Sequence, residues 1–295
     1  MEGLFSTHWV NLVFLFIGGT VVGSFLNVCI FRIPECESII TPPSRCGSCG
    51  RRLRFLDLIP VLSALIFRFR CRYCGHKYSW QYPLIEAVTG VIFVGALVYF
   101  GPSLQTVVTI VVSCSLLVIF FIDLRYLIIP DGLNAIILVS GIALDVERIY
   151  GVLAHQGESS DRLYVGAVRF LERMGNVDHA VYLPRSTLGM LLGAGTFLLI
   201  SWVAAKVFGK ESMGGGDVKL AGAMGAVLGP GYIFATYTLL SIVLGAVIGV
   251  LLIALKIRSR RDYIPFGPMM AVAGIAMLFW GDYLATLVTQ IYHIP

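Results

Sequence analysis

The sequence predicts an all-α polytopic membrane protein, with about eight transmembrane helices and a small cytosolic module that carries four cysteines. Three observations predict it. Of 295 residues, 57% are hydrophobic and 13% charged, with a mean hydropathy of +0.85; a soluble globular chain is about 45–50% apolar and about 25% charged. Apolar runs of membrane length recur along the chain. Two Cys-x-x-Cys pairs, four of the seven cysteines, lie in one basic loop. The same figures exclude a disordered chain, a collagen-like repeat and a secreted disulfide scaffold. The net charge of +5 is modest, so the placement of the positive residues matters more than their number.

The runs are Trp9 to Ile30, Pro83 to Phe100, Leu104 to Ile122, Gly132 to Leu144, Ser186 to Phe208, Val218 to Gly229, Tyr232 to Leu255 and Phe266 to Ile291. The first is not expected to be a cleavable signal: no Lys or Arg precedes it, and it is longer than the roughly 7–15-residue apolar core of a signal peptide. Val218 to Gly229 is short enough to be a re-entrant half-helix. It reads as a short crossing, because otherwise the Lys256 to Arg261 cluster would fall outside, against the positive-inside bias. The Gly229-Pro230-Gly231 sequence then makes a tight outer turn.

Nine of the 22 Lys and Arg (Arg32, Arg45, Arg51, Arg52, Arg54, Arg68, Arg70, Arg72 and Lys77) lie between the first two runs. Placing that loop in the cytosol puts the amino terminus outside, and Arg125, Lys206, Lys210 and the Lys256 to Arg261 cluster in the cytosol as well. Three parts follow: a first span at 1–30, a cytosolic four-cysteine zinc-binding module at 31–82, and a membrane domain at 83–295 with an outer insertion at about 145–185. A small outer amphipathic helix is expected between Tyr150 and Val181.

Cys46, Cys49, Cys71 and Cys74 form two knuckles within the basic loop. Four thiolates at this spacing converge tetrahedrally on one Zn²⁺, and the cytosol keeps them reduced. Four sulfur ligands leave no open position for a catalytic water, so the metal reads as structural; redox pairs without metal are the competing reading. Gly47, Gly50 and Gly75 sit where a knuckle backbone needs freedom. Cys29 and Cys114 fall in apolar runs and read as small packing residues.

Two carboxylates carry the chemistry. Asp123 ends the third run and Asp217 opens the sixth, after Gly214, Gly215 and Gly216. An ionisable group at an apolar boundary is a candidate functional group. Two crossings separate them, which returns both to one membrane face. A close pair in low dielectric shares one proton; the ionised member activates water while the protonated member donates to a carbonyl, as in aspartyl proteolysis. The glycines admit an extended substrate backbone. Taken alone, Asp123 reads equally as an interface residue paired with Arg125. Asp131, after Pro130, reads as an N-cap. Lys219 either adjusts a neighbouring carboxylate or snorkels to the interface, and Glu86 either binds substrate or pairs with a loop arginine.

These residues resemble the type IV prepilin peptidase family, the leader peptidase/N-methyltransferases with a GxGD-type aspartic site. The resemblance is carried in order by Gly23-Ser24-Phe25-Leu26-Asn27-Val28 with Arg32 and Pro34, the doubled Cys-x-x-Cys, Tyr82-Pro83-Leu84-Ile85-Glu86, Asp123 with Ile129-Pro130-Asp131, Gly214 to Lys219, and Pro265-Phe266-Gly267-Pro268. It departs at Phe69-Arg70-Cys71, which lacks the glycine expected before the second knuckle. It implies an intramembrane aspartic endopeptidase of the bacterial inner membrane that cleaves short basic leaders from prepilins and pseudopilins at the cytosolic face. It also implies N-methylation of the new amino terminus from S-adenosylmethionine. Asp123 and Asp217 match the catalytic pair, and the four cysteines match the zinc module. Prepilin substrates and membrane lipid are the expected partners, and nucleic acid is not. The competing classes are an ion- or proton-coupled transporter using the Asp pair as a relay, and a membrane scaffold built around the zinc module.

Overall fold

The computed structural model describes residues 2–154, 184–208, 214–257 and 265–291. The elements are α1 (Glu2–Arg32), a 3₁₀ turn (Phe55–Leu58), α2 (Leu62–Ile66), α3 (Gln81–Phe100), α4 (Leu104–Tyr126), α5 (Asp131–Ala154), α6 (Arg185–Phe208), α7 (Gly215–Leu228), α8 (Tyr232–Ala254) and α9 (Gly267–Ile291). Among the described residues there is no strand beyond two isolated antiparallel bridges, Arg45 with Arg52 and Arg70 with Lys77. The chain divides into two compact units, Met1–Ile122 and Asp123–Pro295.

Every apolar run is helical. Six helices, α1, α3, α4, α6, α8 and α9, are long and apolar enough to cross a membrane, so the chain is a multi-pass membrane protein. The other two runs became α5 and α7. Helix α5 continues ten residues past Leu144, where polar residues end the apolar run. There Asp145 is buried, accepts a hydrogen bond from the Ser186 amide at the start of α6 and lies 3.6 Å from Arg148. The interior of the expected outer insertion, residues 155–183, and with it most of the expected amphipathic helix, lies outside the described residues.

In the first unit, α1 and α3 pack so closely that glycine is required. A Cβ on Gly19 would lie 2.8 Å from the Gly90 Cα, and one on Gly23 would lie 2.6 Å from the Glu86 Cα. Small residues at such crossings let two helix backbones meet, the usual device where lipid supplies no hydrophobic drive. Asn27 ties the pair at its cytosol-assigned end, its amide donating to the Tyr82 carbonyl at 3.1 Å.

The second unit is built around α7, 14 residues or about 21 Å of helix. Residues Leu220 to Leu228 are all buried, because α5, α6, α8 and α9 pack around it. Cβ atoms on Gly189 and Gly193 of α6 would lie 2.0 Å from the Gly225 oxygen and 2.4 Å from the Ala221 oxygen. Gly141 of α5 meets the Ala226 backbone in the same way. A helix this short is tolerated at membrane depth because protein, not lipid, surrounds it from Leu220 to Leu228. Arg185 donates to the Leu228 carbonyl at 3.2 Å and so satisfies one orphan acceptor at the far end.

Gly189→Val is expected to lower stability in detergent by about 3 kcal/mol, since backbone cannot yield as a flexible side chain can. Gly195→Ala on the same helix, whose Cβ meets nothing within 4 Å, is expected to leave the melting temperature unchanged or raise it slightly. Thermal unfolding of the two purified variants checks the contrast.

Candidate active site and metal centre

Asp123 lies in the last turn of α4 and Asp217 in the first turn of α7. Both are 5% exposed, and both line one cavity of about 390 Å³ together with Leu127, Ile128, Ile129, Asp131, Gly214, Gly215, Gly216 and Lys219. Residues far apart in sequence are thus brought to one side of the second unit.

Backbone amides aim each carboxylate. The Gly267 N–H donates to Asp123 Oδ2 at 3.0 Å, and the Gly214 N–H donates to Asp217 Oδ2 at 3.1 Å. The second contact is half of a capping box: Gly214 is the extended N-cap, the Asp217 N–H returns to its carbonyl at 3.1 Å, and the side chain of this third residue reaches back to the cap. Gly267 is obligatory, because a Cβ there would lie 2.6 Å from Asp123 Oδ2. Its place in the Pro-Phe-Gly-Pro run was visible in the sequence, but its role was not; the one signal was a glycine between two prolines opening an apolar helix.

The neighbours of the pair differ from their sequence readings in instructive ways. Lys219 reaches the exposed rim of the cavity and pairs there with Asp131. Its Nζ donates to both oxygens of Asp131, at 2.8 and 2.9 Å, across the exposed rim of the cavity. Asp131 is the first helical residue of α5, one place after the N-cap position the sequence reading gave it, where the Pro130 carbonyl takes the first amides, and its carboxylate is engaged by that ammonium. Gly214 to Gly216 line the cavity with backbone alone, and Ile129 packs on Gly216, whose Cβ would lie 3.0 Å from the Ile129 Cβ. Leu127 takes a positive φ of 57° where the chain turns from α4 to α5, closing its N–H on the Asp123 carbonyl at 3.0 Å.

Glu86 lies elsewhere, in the first unit. It is buried in α3, and Oε2 accepts from the Val61 amide at 2.7 Å, just before α2, so its partner is backbone and not a loop arginine. In the same unit Cys29 and Cys114 are buried as packing residues, and Cys36 is exposed.

The four knuckle cysteines converge: their sulfurs all lie within 4.8 Å of one another, and Cys46 Sγ and Cys74 Sγ are 3.9 Å apart. A tetrahedral metal with sulfur bonds of about 2.3 Å has an edge of about 3.8 Å, so the donor set fits a metal ion. Gly50 and Gly75 take φ of 67° and 71° directly after each pair, and each N–H closes on the carbonyl of the first cysteine at 2.9 Å. Gly47 has no such constraint. Phe69, in the Phe69-Arg70-Cys71 stretch that lacks the expected glycine, adopts a φ of 59° and stacks on Trp80 at 4.3 Å. Backbone N–H groups of Cys49 and Ser48 pull the Cys46 thiol down to about 7. At Cys74 the His76 amide also pulls downward, but loss of solvent and the neighbouring sulfurs push the thiol up to about 11. Four sulfurs this close resist full ionisation on their own, a conflict that a bound cation removes.

Comparison with known proteins follows the same division of the chain. Residues 17–100 match the family model of the bacterial peptidase A24 N-terminal domain, and residues 110–252 match that of the type IV leader peptidase family. A prepilin leader peptidase/N-methyltransferase of Xanthomonas campestris is 32% identical over 289 residues, covering 90% of each chain. One of Bacillus subtilis is 32% identical over 272 residues, covering 92% of this chain and 95% of the relative. One of Myxococcus xanthus is 36% identical over 247 residues, covering 82% of this chain and 63% of the relative. No solved structure matches the chain. With its doubled cysteine knuckles, its paired aspartates and relatives of this identity along nearly its whole length, the chain belongs to the type IV leader peptidase family.

Proposed function

We propose that this protein is an intramembrane aspartic endopeptidase that removes the short basic leader from type IV prepilins and pseudopilins, with Asp123 and Asp217 as its catalytic pair. The observation that carries the reading is the meeting of these two buried carboxylates in one cavity, each oriented by a backbone amide. Relatives along nearly the whole chain bear the name prepilin leader peptidase/N-methyltransferase.

The chemistry follows from the pair. One carboxylate, ionised, takes a proton from the attacking water; the other, protonated, donates to the scissile carbonyl oxygen, and the roles reverse as the amine leaves. Gly214, Gly215 and Gly216 bound the cavity with backbone and leave room for an extended substrate chain. The pair titrates as a unit, so cleavage has a bell-shaped pH profile with two macroscopic limits. A proton- or ion-relay transporter fits less well: its carboxylates belong near the middle of the bilayer, whereas here one ends a helix and the other begins one.

The protein sits in the bacterial inner membrane with its amino terminus outside and its cysteine module in the cytosol, an orientation supported by the nine Lys and Arg of the module loop. Cys46, Cys49, Cys71 and Cys74 hold a structural Zn²⁺ that closes the loop. N-methylation of the new amino terminus from S-adenosylmethionine is the second activity. The described residues contain no Gly-rich strand–turn–helix cradle for the donor, so its binding is not of the Rossmann type.

Purified protein in detergent, mixed with a prepilin and read by product mass, checks the first activity. Asp123→Asn and Asp217→Asn are each expected to lower the cleavage rate by about 10³-fold or more with the melting temperature retained. Gly267→Ala displaces the Asp123 carboxylate and is expected to lower kcat at least tenfold with a smaller change in KM. Asp131→Asn removes only an exposed pair and is expected to change stability by less than about 1 kcal/mol. For the module, elemental analysis is expected to find about one zinc per chain, lost in Cys46→Ser or Cys74→Ser. Zinc retention is expected to fall as the pH is lowered, since protonation of the thiolates competes with the metal.

A further inference from the structure

The run from Phe55 to Phe67 is apolar at all but two positions, Asp57 and Ser63, yet most of it is uncovered. Phe55, Leu56, Leu62, Leu65 and Ile66 are each more than half exposed, on the 3₁₀ turn and on α2. In water, five large apolar side chains on thirteen residues would be an aggregation-prone patch. At about 13 residues, the run is too short to span a bilayer but has the length of an interfacial or re-entrant segment.

Its depth can be read from α3. Glu86 is the sixth residue of that helix, about 7.5 Å along the axis from Gln81, and its Oε2 accepts from the Val61 amide at 2.7 Å. Against Glu86 packs Gly23 of α1, well inside the span that ends at Arg32. Helix α2 therefore begins beside the buried end of the α1/α3 pair instead of projecting beyond it. Where α3 begins, Trp80 stacks on Phe69 at 4.3 Å, Tyr82 on Phe31 at 5.5 Å, and Tyr78 meets Tyr82 edge-on at 6.1 Å. Such a girdle of Trp and Tyr marks the headgroup level of a bilayer. Exposed Arg52, Arg54, Arg68 and Arg70 flank the apolar run at both ends.

We infer that Phe55–Phe67 is a monotopic membrane contact: its apolar face lies in the acyl boundary of the leaflet next to α1 and α3, with the flanking arginines at the lipid phosphates. The occupant is phospholipid, because the patch is tied to α3 inside the span and its positive rim complements anionic headgroups. Glu86 is then the polar anchor that holds α2 at this depth, satisfying a backbone donor where no water reaches. The cysteine module is thereby held down on the membrane surface through a contact separate from its two chain connections. This holds whether or not the chain cleaves prepilins.

The test places the photoreactive residue p-benzoylphenylalanine in the full-length protein, reconstituted in vesicles of phosphatidylethanolamine and phosphatidylglycerol. It replaces Leu65 in one variant and Phe55 in another, the second being a conservative aromatic exchange at an exposed position. Val91, exposed on α3, is the lipid-facing reference and Ser48, on the first knuckle, is the aqueous one. After illumination, peptide mass spectrometry is expected to find phospholipid adducts at 65 and 55 within about threefold of the yield at 91 and at least tenfold above that at 48. Yields equal to that at 48, or crosslinks to peptides of the protein in place of lipid, would overturn the assignment.

Discussion

The second unit depends on one constraint: α7 is too short and too apolar to be stable by itself and exists only because neighbouring backbones touch it. Gly189 and Gly193 of α6 and Gly141 of α5 permit contacts that any side chain would block. In lipid, where burying one apolar surface against another gains little over burying it in acyl chains, that close approach supplies the dispersion energy for association. It also fixes α7 along its axis, and so fixes Asp217 at its first turn. The charged ends of the unit are matched at the other extreme, where Arg185 meets the last carbonyl of α7 and Asp145 meets the Ser186 amide, the second of α6.

A scaffold held in this way presents two buried carboxylates. The lysine that lines the cavity is held at the rim by Asp131. Backbone reaches each acid: one N–H from Gly267 and one from Gly214. An amide orients a carboxylate without contributing a full charge, which leaves the two acids free to set each other's protonation. Glycine at the Gly267 donor follows from geometry, since a Cβ there would lie 2.6 Å from Asp123 Oδ2.

The helices were legible because hydropathy reports burial in lipid directly, and the knuckles because cysteine spacing is fixed by metal geometry. Asp123 and Asp217 stood out because a carboxylate at the edge of an apolar run costs energy unless something uses it. Other features were not visible one residue at a time. The extension of α5 past Leu144 depends on a tertiary partner for Asp145. Glu86 looked like a partner for arginine but meets an amide 25 residues earlier in the chain. Lys219 stands two residues from Asp217, yet on a helix such neighbours point in different directions, so it pairs across to α5 instead. Phe69 takes a left-handed conformation without glycine and stacks on Trp80, a pairing no local rule predicts.

In the proposed reaction Asp123 and Asp217 act on one peptide bond, one activating water and the other protonating the carbonyl oxygen, and the most direct test is to see that bond. A structure of the Asp217→Asn protein in a lipid nanodisc, bound to an intact prepilin, is predicted to place the scissile carbonyl between the Asp123 carboxylate and the side chain at 217, within hydrogen-bond reach of both, with the substrate backbone extended past Gly214 to Gly216. A scissile bond lodged outside this cavity, or the two side chains separated by intervening helix, would contradict the account.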